Sequence, residues 1–534
     1  MRQALPESHE RTCRQASESF AAGEITFLNR TRSVSDPATV RPDDERIESL
    51  PRLWYLKLAG FEPVEWLVLG FDEPSTADGV AETIQTWLHE FAVEHPIGAR
   101  PGYLRGAWTP YAVCHRILNL CLLGAWAGGL DEQLSTYLYK NLSFLSRNVE
   151  RDVGGNHLVE NGIALVAGGL AVSSPDTSFC QQGLDVLKQV TEQQFLSDGY
   201  HYERSPMYHL AVTDRLLLAV SLLSAGPADV PEWLRTTAED AVAFIEHVTG
   251  PDGEIALLND AVYGETHTPA TYRRLADRLD LTGTTTPELD ASGIVRRSLG
   301  PLSLLLDAGD SGPSGQLGHV HNDPATVLLW HENRPVLTDT GTFDYSPGER
   351  RRLARSVESH NTAAPRGVEP VTFGGRFLMD EPIETEVART DQPLPTVTVR
   401  YETNGTVRYE HTRTLVEGPR WWLVHDAIDA PVDQIVSRLH TAPSIKVSIE
   451  SAVSLRDGDR RVCVVTPSET AAVQRLETKY FPAFGVEQER VALELSSADT
   501  VSFFVSRQPL DRARVESADG SVSRIVVDGQ EWSL

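Results

Sequence analysis

Four residues between positions 319 and 360 carry side chains that could bind a metal ion and move a proton. His319 and His321 stand two apart, Asp339 follows them, and His360 supplies a third imidazole. Three imidazoles and one carboxylate suit a divalent ion of borderline softness held by nitrogen and oxygen, with one group left over for chemistry. Histidines and an aspartate that recur by chance on solvated turns would give the same spacing, so the pattern alone leaves both interpretations open.

The residues around these groups predict the strands that would position them. Two short apolar runs, at 325–330 and 335–338, flank a turn at 331–334, which is typical of two strands joined by a hairpin. Residues two apart on a strand share a face, so both early imidazoles are expected to point the same way. Asp339 then falls at the end of the second strand, where it can be brought beside them.

Length and charge limit the class of protein. The chain has 534 residues and a net charge of −27, and only five of its cations are lysines. This length exceeds one ordinary core, so two large domains are expected. A surface so acidic and so poor in lysine is typical of adaptation to high salt, with an ordinary acidic soluble protein as the alternative. We expect no nucleic-acid partner, because phosphate binding needs a basic face.

Cysteine usage and the amino terminus predict the compartment. The five cysteines are scattered without a CxxC pair, and we expect free thiols. The amino terminus lacks the apolar core of a secretory signal, and no later run of about eighteen apolar residues predicts a membrane span. The sequence therefore predicts a cytoplasmic protein with no membrane partner, and secretion by an unrecognised route stays open.

Periodicity divides the chain into a helical part and a strand-rich part. Residues 1–48 are polar without a sustained period and predict a tail or loosely packed arm. Residues 49–281 predict helix pairs packed into a ring or bundle, 282–293 a linker, and 294–534 an antiparallel sandwich. The predicted helices are 76–95, 111–127, 131–149, 157–172, 179–196, 206–224, 231–248 and 269–281. The clearest strand runs are 302–307, 396–402, 406–416, 421–428, 461–465, 501–506 and 522–527, with a hairpin turn at Gly418 and Pro419.

Four separated motifs resemble those of the heparinase II/III-like polysaccharide lyases, which include heparin, heparan and alginate lyase relatives. They are RGAWTPYAVCHRILNL near Arg105, GGNHLVENG at Gly154, DGYHYERSPMYH at Asp198, and the stretch from His319 to His360. Each motif is weak alone, but their shared order covers most of residues 50 to 362. The resemblance implies an α+β multidomain fold, with an N-terminal incomplete (α/α) toroid followed by a C-terminal antiparallel β-sandwich.

The resemblance also implies roles for residues of the helical part. Asn156 would bind the uronate carboxylate of the substrate, and His157 would lie close to the sugar. Asn156 could instead be only an N-cap. Tyr208, in the first turn of a helix after Ser205, would transfer a proton, with Tyr202 as its competitor. Otherwise Tyr208 is a tyrosine packed between helices.

For the 319–360 stretch the family divides catalysis from metal binding. His319 would be catalytic, and His321, Asp339 and His360 would hold a divalent ion, zinc in preference to calcium, with no organic cofactor. Asn322 and Asp323 would orient the rings from outside the ligand shell. Tyr345 matches a catalytic tyrosine of some members, although its loop varies in length.

The substrate implied by the family is an acidic polysaccharide or oligosaccharide. Arg350, Arg351, Arg352 and Arg355 form the densest basic run and could pair with its sulfates or carboxylates, with at least two of them expected on a solvated face. Tyr202, Arg350 and Arg355 are the predicted substrate-binding residues.

We interpret the chain as a polysaccharide lyase acting by β-elimination. One alternative is a glycoside hydrolase on the same toroid, with its carboxylates drawn from Asp198, Glu203 and Glu160. The other is a non-catalytic protein for glycan binding or exopolysaccharide assembly.

Overall fold

The computed structural model describes residues 4–99, 102–172, 177–226, 229–283, 291–315, 318–375, 377, 379, 381–431 and 433–534, apart from the side chains of Asp78 and Thr177. The chain forms two compact units. Unit 1 comprises Met1–Phe195, Leu210–Val242 and Ala270–Thr284, and unit 2 comprises Leu196–His209, Ala243–Pro269 and Thr285–Leu534.

Helices dominate unit 1, and their ends follow the local sequence. In the fifth helix Pro110 lies in the first turn, and Gly128 ends the helix at a φ of 76°, which glycine adopts without strain. The eight predicted helices are confirmed, with small differences at their ends. The helices of the described chain are α1 Glu7–Ala21, α2 Arg52–Ala59, α3 Glu62–Gly70, α4 Asp78–Glu94, α5 Pro110–Ala127, α6 Glu132–Leu145, α7 Gly155–Ala171, α8 Thr177–Gln194, α9 Pro206–Ser224, α10 Glu232–Phe244, α11 Pro269–Arg278 and α12 Glu349–Arg355.

Glycines set the close approach of α7 and α8. A Cβ at Gly169 would lie 2.6 Å from the backbone nitrogen of Cys180, and one at Gly183 would lie 2.6 Å from the carbonyl oxygen of Gly162. Atoms cannot pack that closely, so a side chain at either position would push the helices apart. This contact fixes α7, whose first turn holds Asn156.

Residues 7–33 are packed into unit 1, so the expectation of a loose arm is wrong for them. They form α1 and a hairpin of β1 (Glu24–Phe27) and β2 (Arg30–Ser33). Phe20 of α1 is buried, and its ring lies edge-on to Trp87 with centroids 4.9 Å apart. A few large apolar side chains therefore suffice to dock a segment that is polar overall.

The described residues contain one helix, α9, that is long and apolar enough to cross a membrane by length and composition. In an 18-residue stretch of this helix, 61% is buried, which is typical of a core helix. The sequence predicts this helix at 206–224 but no membrane span, because Thr213, Asp214 and Arg215 interrupt the apolar run. All five cysteines are free thiols, as expected.

Antiparallel sheets make up most of unit 2. An eight-stranded sheet has the order β13-β14-β15-β18-β11-β10-β9-β8, and a four-stranded sheet has the order β16-β17-β12-β7. Side chains of both sheets share one apolar core, which is the arrangement of a sandwich. The predicted strand runs and the turn at Gly418 are confirmed. The strands are β3 Ile294–Leu299, β4 Leu302–Asp307, β5 Val327–His331, β6 Arg334–Leu337, β7 Ala363–Pro365, β8 Thr385–Thr390, β9 Thr396–Glu402, β10 Glu410–Glu417, β11 Trp421–Asp429, β12 Ile435–His440, β13 Ile445–Ile449, β14 Val453–Asp457, β15 Arg460–Pro467, β16 Ala472–Tyr480, β17 Gln488–Ser497, β18 Thr500–Ser506, β19 Arg514–Ala518, β20 Ser521–Val527 and β21 Gln530–Ser533.

One of the boundaries between the compact units, at Thr284 and Thr285, falls within the predicted linker. Most of that linker, residues 284–290, lies outside the described residues. Unit 2 also takes in Leu196–His209 and Ala243–Pro269 from the part predicted as helical. Tyr200 and Phe244 of these segments share a buried apolar cluster with Leu305, so side-chain packing assigns them to the strand-rich unit.

A buried ionic network lies inside the sandwich. The Arg413 guanidinium donates to Asp426 from Nε at 2.7 Å and from Nη2 at 2.9 Å, and His411 Nε2 lies 2.9 Å from the same carboxylate. The remaining donor of Arg413, Nη1, reaches the carbonyl oxygens of Ala325 (2.8 Å) and Asn361 (2.7 Å). The network therefore braces the two segments that flank His321 and His360.

Candidate active site and metal group

The predicted hairpin is present, but the first two histidines do not lie on it. Strands β5 and β6 pair antiparallel, whereas His319 and His321 lie in the loop before β5. The backbone N–H of His321 donates to the Asn259 side chain at 2.8 Å, and the carbonyl of His319 accepts from the N–H of Asp260 at 3.1 Å. The expectation of a shared strand face is therefore wrong, because these backbone groups bind a neighbouring loop and not a strand.

The two imidazoles meet on the buried carboxylate of Asp260. His319 Nδ1 lies 2.9 Å from Oδ2, and His321 Nε2 lies 2.8 Å from Oδ1. The Arg351 guanidinium binds both carboxylate oxygens, and the Thr342 hydroxyl donates to Oδ1 at 3.0 Å. Burial alone would raise the pKa of Asp260, but the Arg351 charge and the imidazole bonds hold it well below its usual range. Asp260 is therefore an ionised acceptor.

Two tyrosines lie against His319. The hydroxyls of Tyr208 and Tyr345 are 2.8 Å apart, and the Tyr208 ring centroid lies 3.9 Å from that of His319. The N–H of Tyr208 donates to the Ser205 hydroxyl at 3.4 Å, which places Tyr208 in the capped first turn of α9, as predicted. Burial raises the pKa of both tyrosines well above the usual value. Both are therefore protonated near neutral pH and can donate a proton.

His321, Asp339 and His360 form a buried group that could hold a metal ion. One donor atom from each lies within 4.8 Å of the others. His360 Nδ1 lies 2.9 Å from Asp339 Oδ2, while His321 Nδ1 and His360 Nε2 are buried without a hydrogen-bond partner among the described residues. Unpartnered buried polar atoms are costly, and an ion would satisfy them. Burial lowers the pKa of His321 to about 4, so its ring is neutral, as a metal ligand must be. The residues therefore fit a divalent metal.

A buried arginine holds the loop that carries Asp339. Arg490 donates from Nη1 to the carbonyl oxygens of Thr338 at 3.1 Å and Asp339 at 2.9 Å, and from Nη2 to the Thr340 hydroxyl. Burial lowers the pKa of Arg490 to about 10, and the group remains charged at neutral pH. Its charge and its rigid fork fix the backbone on which Asp339 is mounted.

Asn322 and Asp323 were expected to orient the imidazole rings of the metal group. The Asn322 side chain instead binds the segment around Glu369. Its side-chain amide donates to Glu369 at 2.6 Å and to the carbonyl of Val371 at 3.0 Å. It therefore braces the segment around Glu369, and the expected ring-orienting role is wrong. Asp323 is buried, no described residue forms a hydrogen bond with its Oδ2, and burial raises its pKa to about 7. Its role stays a prediction.

Asn156 and His157 lie in the first turn of α7. The helix begins after Gly154, whose φ is 67°, so Asn156 is not the N-cap and the capping interpretation is wrong. Asn156 is largely buried, whereas His157 is partly exposed, with Nδ1 3.3 Å from Glu150 Oε1. Their roles toward substrate stay predictions.

The basic run forms α12, and burial changes its interpretation. Arg355 is 2% exposed and donates to the carbonyl oxygens of Val320 (2.9 Å) and Gly375 (3.0 Å). Nε and Nη1 of Arg355 are therefore engaged with the backbone, and its binding of substrate stays a prediction. Arg351 is also buried, on Asp260, so the solvated residues of the run are Arg350 and Arg352.

Arg350 and Tyr202 remain predicted substrate-binding residues. Arg350 is exposed, its Nε lies 2.6 Å from Glu487, and its guanidinium stacks on the Phe343 ring at 4.3 Å. Tyr202 is partly exposed, with its ring centroid 5.1 Å from that of His201.

The carboxylates considered for hydrolysis are engaged elsewhere. Glu160 binds Arg215 Nε at 2.9 and 3.0 Å. Asp198 accepts from the N–H of Ser292 at 2.7 Å, and Glu203 is buried with an oxygen 3.7 Å from His201. Such contacts are typical of carboxylates that stabilise the fold.

Two family models match successive parts of the chain. The model described as Heparinase II/III N-terminus matches residues 82–279, and the one described as Heparinase II/III-like, C-terminal matches residues 282–519. The chain belongs to the heparinase II/III family.

Relatives of this family member are similar in sequence or in fold. A heparin-sulfate lyase of Bacteroides thetaiotaomicron is 24% identical over 363 residues, covering 58% of this chain and 52% of that protein. The chain thus spans about half the length of this curated relative. The crystal structure of heparinase III has a TM-score of 0.77 at 15% identity and covers 99% of this chain and 91% of that chain. A chondroitin AC lyase of Streptomyces coelicolor A3, solved with chondroitin sulphate, has a TM-score of 0.61 at 12% identity and covers 98% and 83%.

These likenesses settle the fold class of the heparinase II/III member. It is the predicted one, an incomplete (α/α) toroid at the N-terminus followed by an antiparallel β-sandwich.

Asp260 and Arg351 are the site residues that the sequence pattern missed. Asp260 follows the buried apolar run 255–258, just as Asp339 follows the run of β6. A carboxylate placed directly after a buried apolar segment was the available signal. The sequence shows Arg351 only as part of a basic run. Nothing in that run distinguishes the buried Arg351 from its exposed neighbours Arg350 and Arg352.

Proposed function

We propose that this heparinase II/III member is a polysaccharide lyase that cleaves a uronic-acid-containing polysaccharide or oligosaccharide by β-elimination. The observation that carries the proposal is the cluster of Tyr208, His319 and Tyr345, which places two protonated phenols beside an imidazole. The names of the relatives, a heparin-sulfate lyase and a chondroitin lyase, support an acidic glycosaminoglycan as the substrate class.

The reaction needs one base and one acid. A base, His319 or a tyrosine in its phenolate form, takes the proton at C5 of the uronate. The C4–O bond then breaks, a C4–C5 double bond forms, and a tyrosine gives its proton to the leaving glycosidic oxygen. Asn156 is proposed to hold the uronate carboxylate by its amide N–H, since donors that stabilise the developing negative charge lower the barrier.

Product chemistry tests the proposal against its alternatives. We expect purified protein, assayed on heparan sulfate, heparin, chondroitin sulfate and alginate in dilute and in molar potassium chloride, to release products that absorb ultraviolet light and carry new reducing ends. The high-salt arm follows from the acidic, lysine-poor surface. A His319→Ala variant is the control for contaminating activity. Reducing ends without absorbance would establish a hydrolase, and neither signal would leave a binding protein.

For the metal we propose zinc, with calcium as the alternative. Two imidazole nitrogens and one carboxylate are donors that zinc prefers, whereas calcium prefers oxygen alone. His321, Asp339 and His360 would hold the ion. When bound, it supplies a fixed positive charge and ties the loop before β5 to the segments after β6 and α12.

We expect purified protein to hold about one equivalent of divalent metal, and His321→Ala to lose it with a lower melting temperature, because metal binding contributes to folding free energy. Elemental analysis and thermal unfolding measure both effects. His331→Ala, a histidine of β5 outside the group, should keep the ion. A wild-type protein that holds no ion, even after zinc is added, would contradict the metal site.

A further inference from the structure

We propose that Asp260 is a positioning residue that fixes the tautomers of both His319 and His321 and thereby couples the proton-transfer imidazole to the metal ion. The inference rests on the proposed lyase function for the role of His319, but its metal half stands on geometry alone.

The Asp260 carboxylate determines which nitrogen of each imidazole carries a hydrogen. An ionised carboxylate only accepts hydrogen bonds. Since Asp260 Oδ2 lies 2.9 Å from His319 Nδ1 and Oδ1 lies 2.8 Å from His321 Nε2, both of these nitrogens must carry the hydrogen. In the neutral form of each ring, the opposite nitrogens, His319 Nε2 and His321 Nδ1, carry the lone pairs.

The two lone pairs serve different purposes. His321 Nδ1 is buried and has no hydrogen-bond partner in the part of the chain that the structure describes, as expected of a nitrogen that could bind a metal ion. The His319 side chain is 15% exposed, so its Nε2 lone pair belongs to the imidazole that can meet substrate. One carboxylate therefore prepares one ring as a ligand and the other as a proton acceptor.

The carboxylate is itself held firmly. Arg351 Nη2 donates to Oδ2 at 2.8 Å and to the carbonyl of Gly318 at 3.1 Å, and its guanidinium lies 5.2 Å from the Tyr345 ring centroid. The Thr342 hydroxyl adds a bond to Oδ1. These contacts hold the Asp260 carboxylate in one orientation. A carboxylate that is held in this way can orient the two imidazoles that bind it.

The backbone of Asp260 extends the same control to α9. Its carbonyl accepts from the Ser205 hydroxyl at 3.1 Å, and that hydroxyl accepts from the N–H of Tyr208 at 3.4 Å. Hydrogen bonds therefore connect Tyr208, His319 and His321 to Asp260, which helps to fix the position of each. A shift of Asp260 would move the proposed acid, the proposed base and the metal ligand together.

The test is Asp260→Asn, which keeps the shape but replaces one acceptor oxygen with a donor. We expect kcat to fall about 10²- to 10⁴-fold with KM changed less than about threefold, and zinc affinity, measured by chelator competition, to fall about 10- to 100-fold. Asp252→Asn is the matched control, because Asp252 binds Trp330 Nε1 at 3.3 Å in the same unit and should change neither quantity.

Wild-type kcat in Asp260→Asn would overturn the positioning role, and a loss of kcat with unchanged zinc affinity would overturn the coupling. If wild type cleaves none of the polysaccharides, the lyase function fails, while zinc affinity still decides the link between Asp260 and His321. If Asp260→Asn does not fold, metal-stripped wild type replaces it. A fall in kcat restored by zinc supports the coupling, and full activity without metal refutes it.

Discussion

Replacing Tyr208 with phenylalanine should lower kcat by about 10²- to 10⁴-fold while the chain stays folded, because general acid catalysis contributes that much. The substitution removes only a hydroxyl, whose hydrogen-bond partner is the Tyr345 hydroxyl at 2.8 Å. Because burial raises the pKa of Tyr208 well above its usual value, the residue holds a proton that it can give to the leaving oxygen. Steady-state cleavage of the best substrate measures the loss, with circular dichroism to check the fold.

Two variants sharpen this result. Tyr409→Phe removes a hydroxyl that is buried in unit 2 and has no hydrogen-bond partner within the described ranges, and it should leave kcat unchanged. Tyr345→Phe tests whether Tyr345 is itself a general acid or only orients Tyr208. Of the two variants, the one with the smaller loss of kcat identifies the orienting residue. Full activity in Tyr208→Phe would remove Tyr208 from the mechanism.

Replacing Asp426 with alanine should destabilise the protein by about 3–5 kcal/mol, the usual cost of removing one partner of a buried ion pair. Arg413 is fully buried, and Asp426 is the carboxylate that its Nε and Nη2 bind. The variant leaves the guanidinium charged in the core and removes the acceptor of His411 Nε2. Denaturant unfolding followed by fluorescence and by circular dichroism measures the change in free energy.

The matched control is an ion pair at the surface. Glu332 and Arg460 are both more than half exposed, with 2.9 Å between their charged atoms. Solvent screens such pairs, so Glu332→Ala should leave the unfolding midpoint unchanged. A midpoint in Asp426→Ala equal to that of Glu332→Ala would show that the Arg413 network does not support the sandwich.

Local patterns were sufficient for eight of the helices and for the hairpin of β5 and β6, but not for α1 or the hairpin of β1 and β2. Helices α4 to α11 follow a 3.6-residue apolar period, and the hairpin of β5 and β6 follows from two β-prone runs around a turn. These signals involve neighbours in sequence, so one sequence contains them in full. The motifs also brought together His319, Tyr208 and Tyr345, whose side chains the structure places in contact.

Partners far apart in sequence could not be predicted in this way. His319 and His321 meet Asp260 across 59 and 61 positions, and no periodicity encodes that contact. Charge did not reveal that Arg355 is buried, because exposed and buried arginines look alike in a sequence until the backbone carbonyls that accept from them are known. Asn156 failed as an N-cap for a similar reason, since the two glycines before it let the helix begin earlier.

The meeting of residues on Asp260 has a consequence for how the chain folds. Tyr208, Asp260, His319 and Arg351 come from four separate stretches, and Arg351 lies 91 positions from the carboxylate that it binds. Contacts with such large sequence separation close long loops and form slowly. Helices such as α7 and α8 can form as soon as their own residues are free, but the constellation around Asp260 must wait until α12 has been synthesised. The proposed lyase activity should therefore emerge late during folding and mark its completion more faithfully than the appearance of helix.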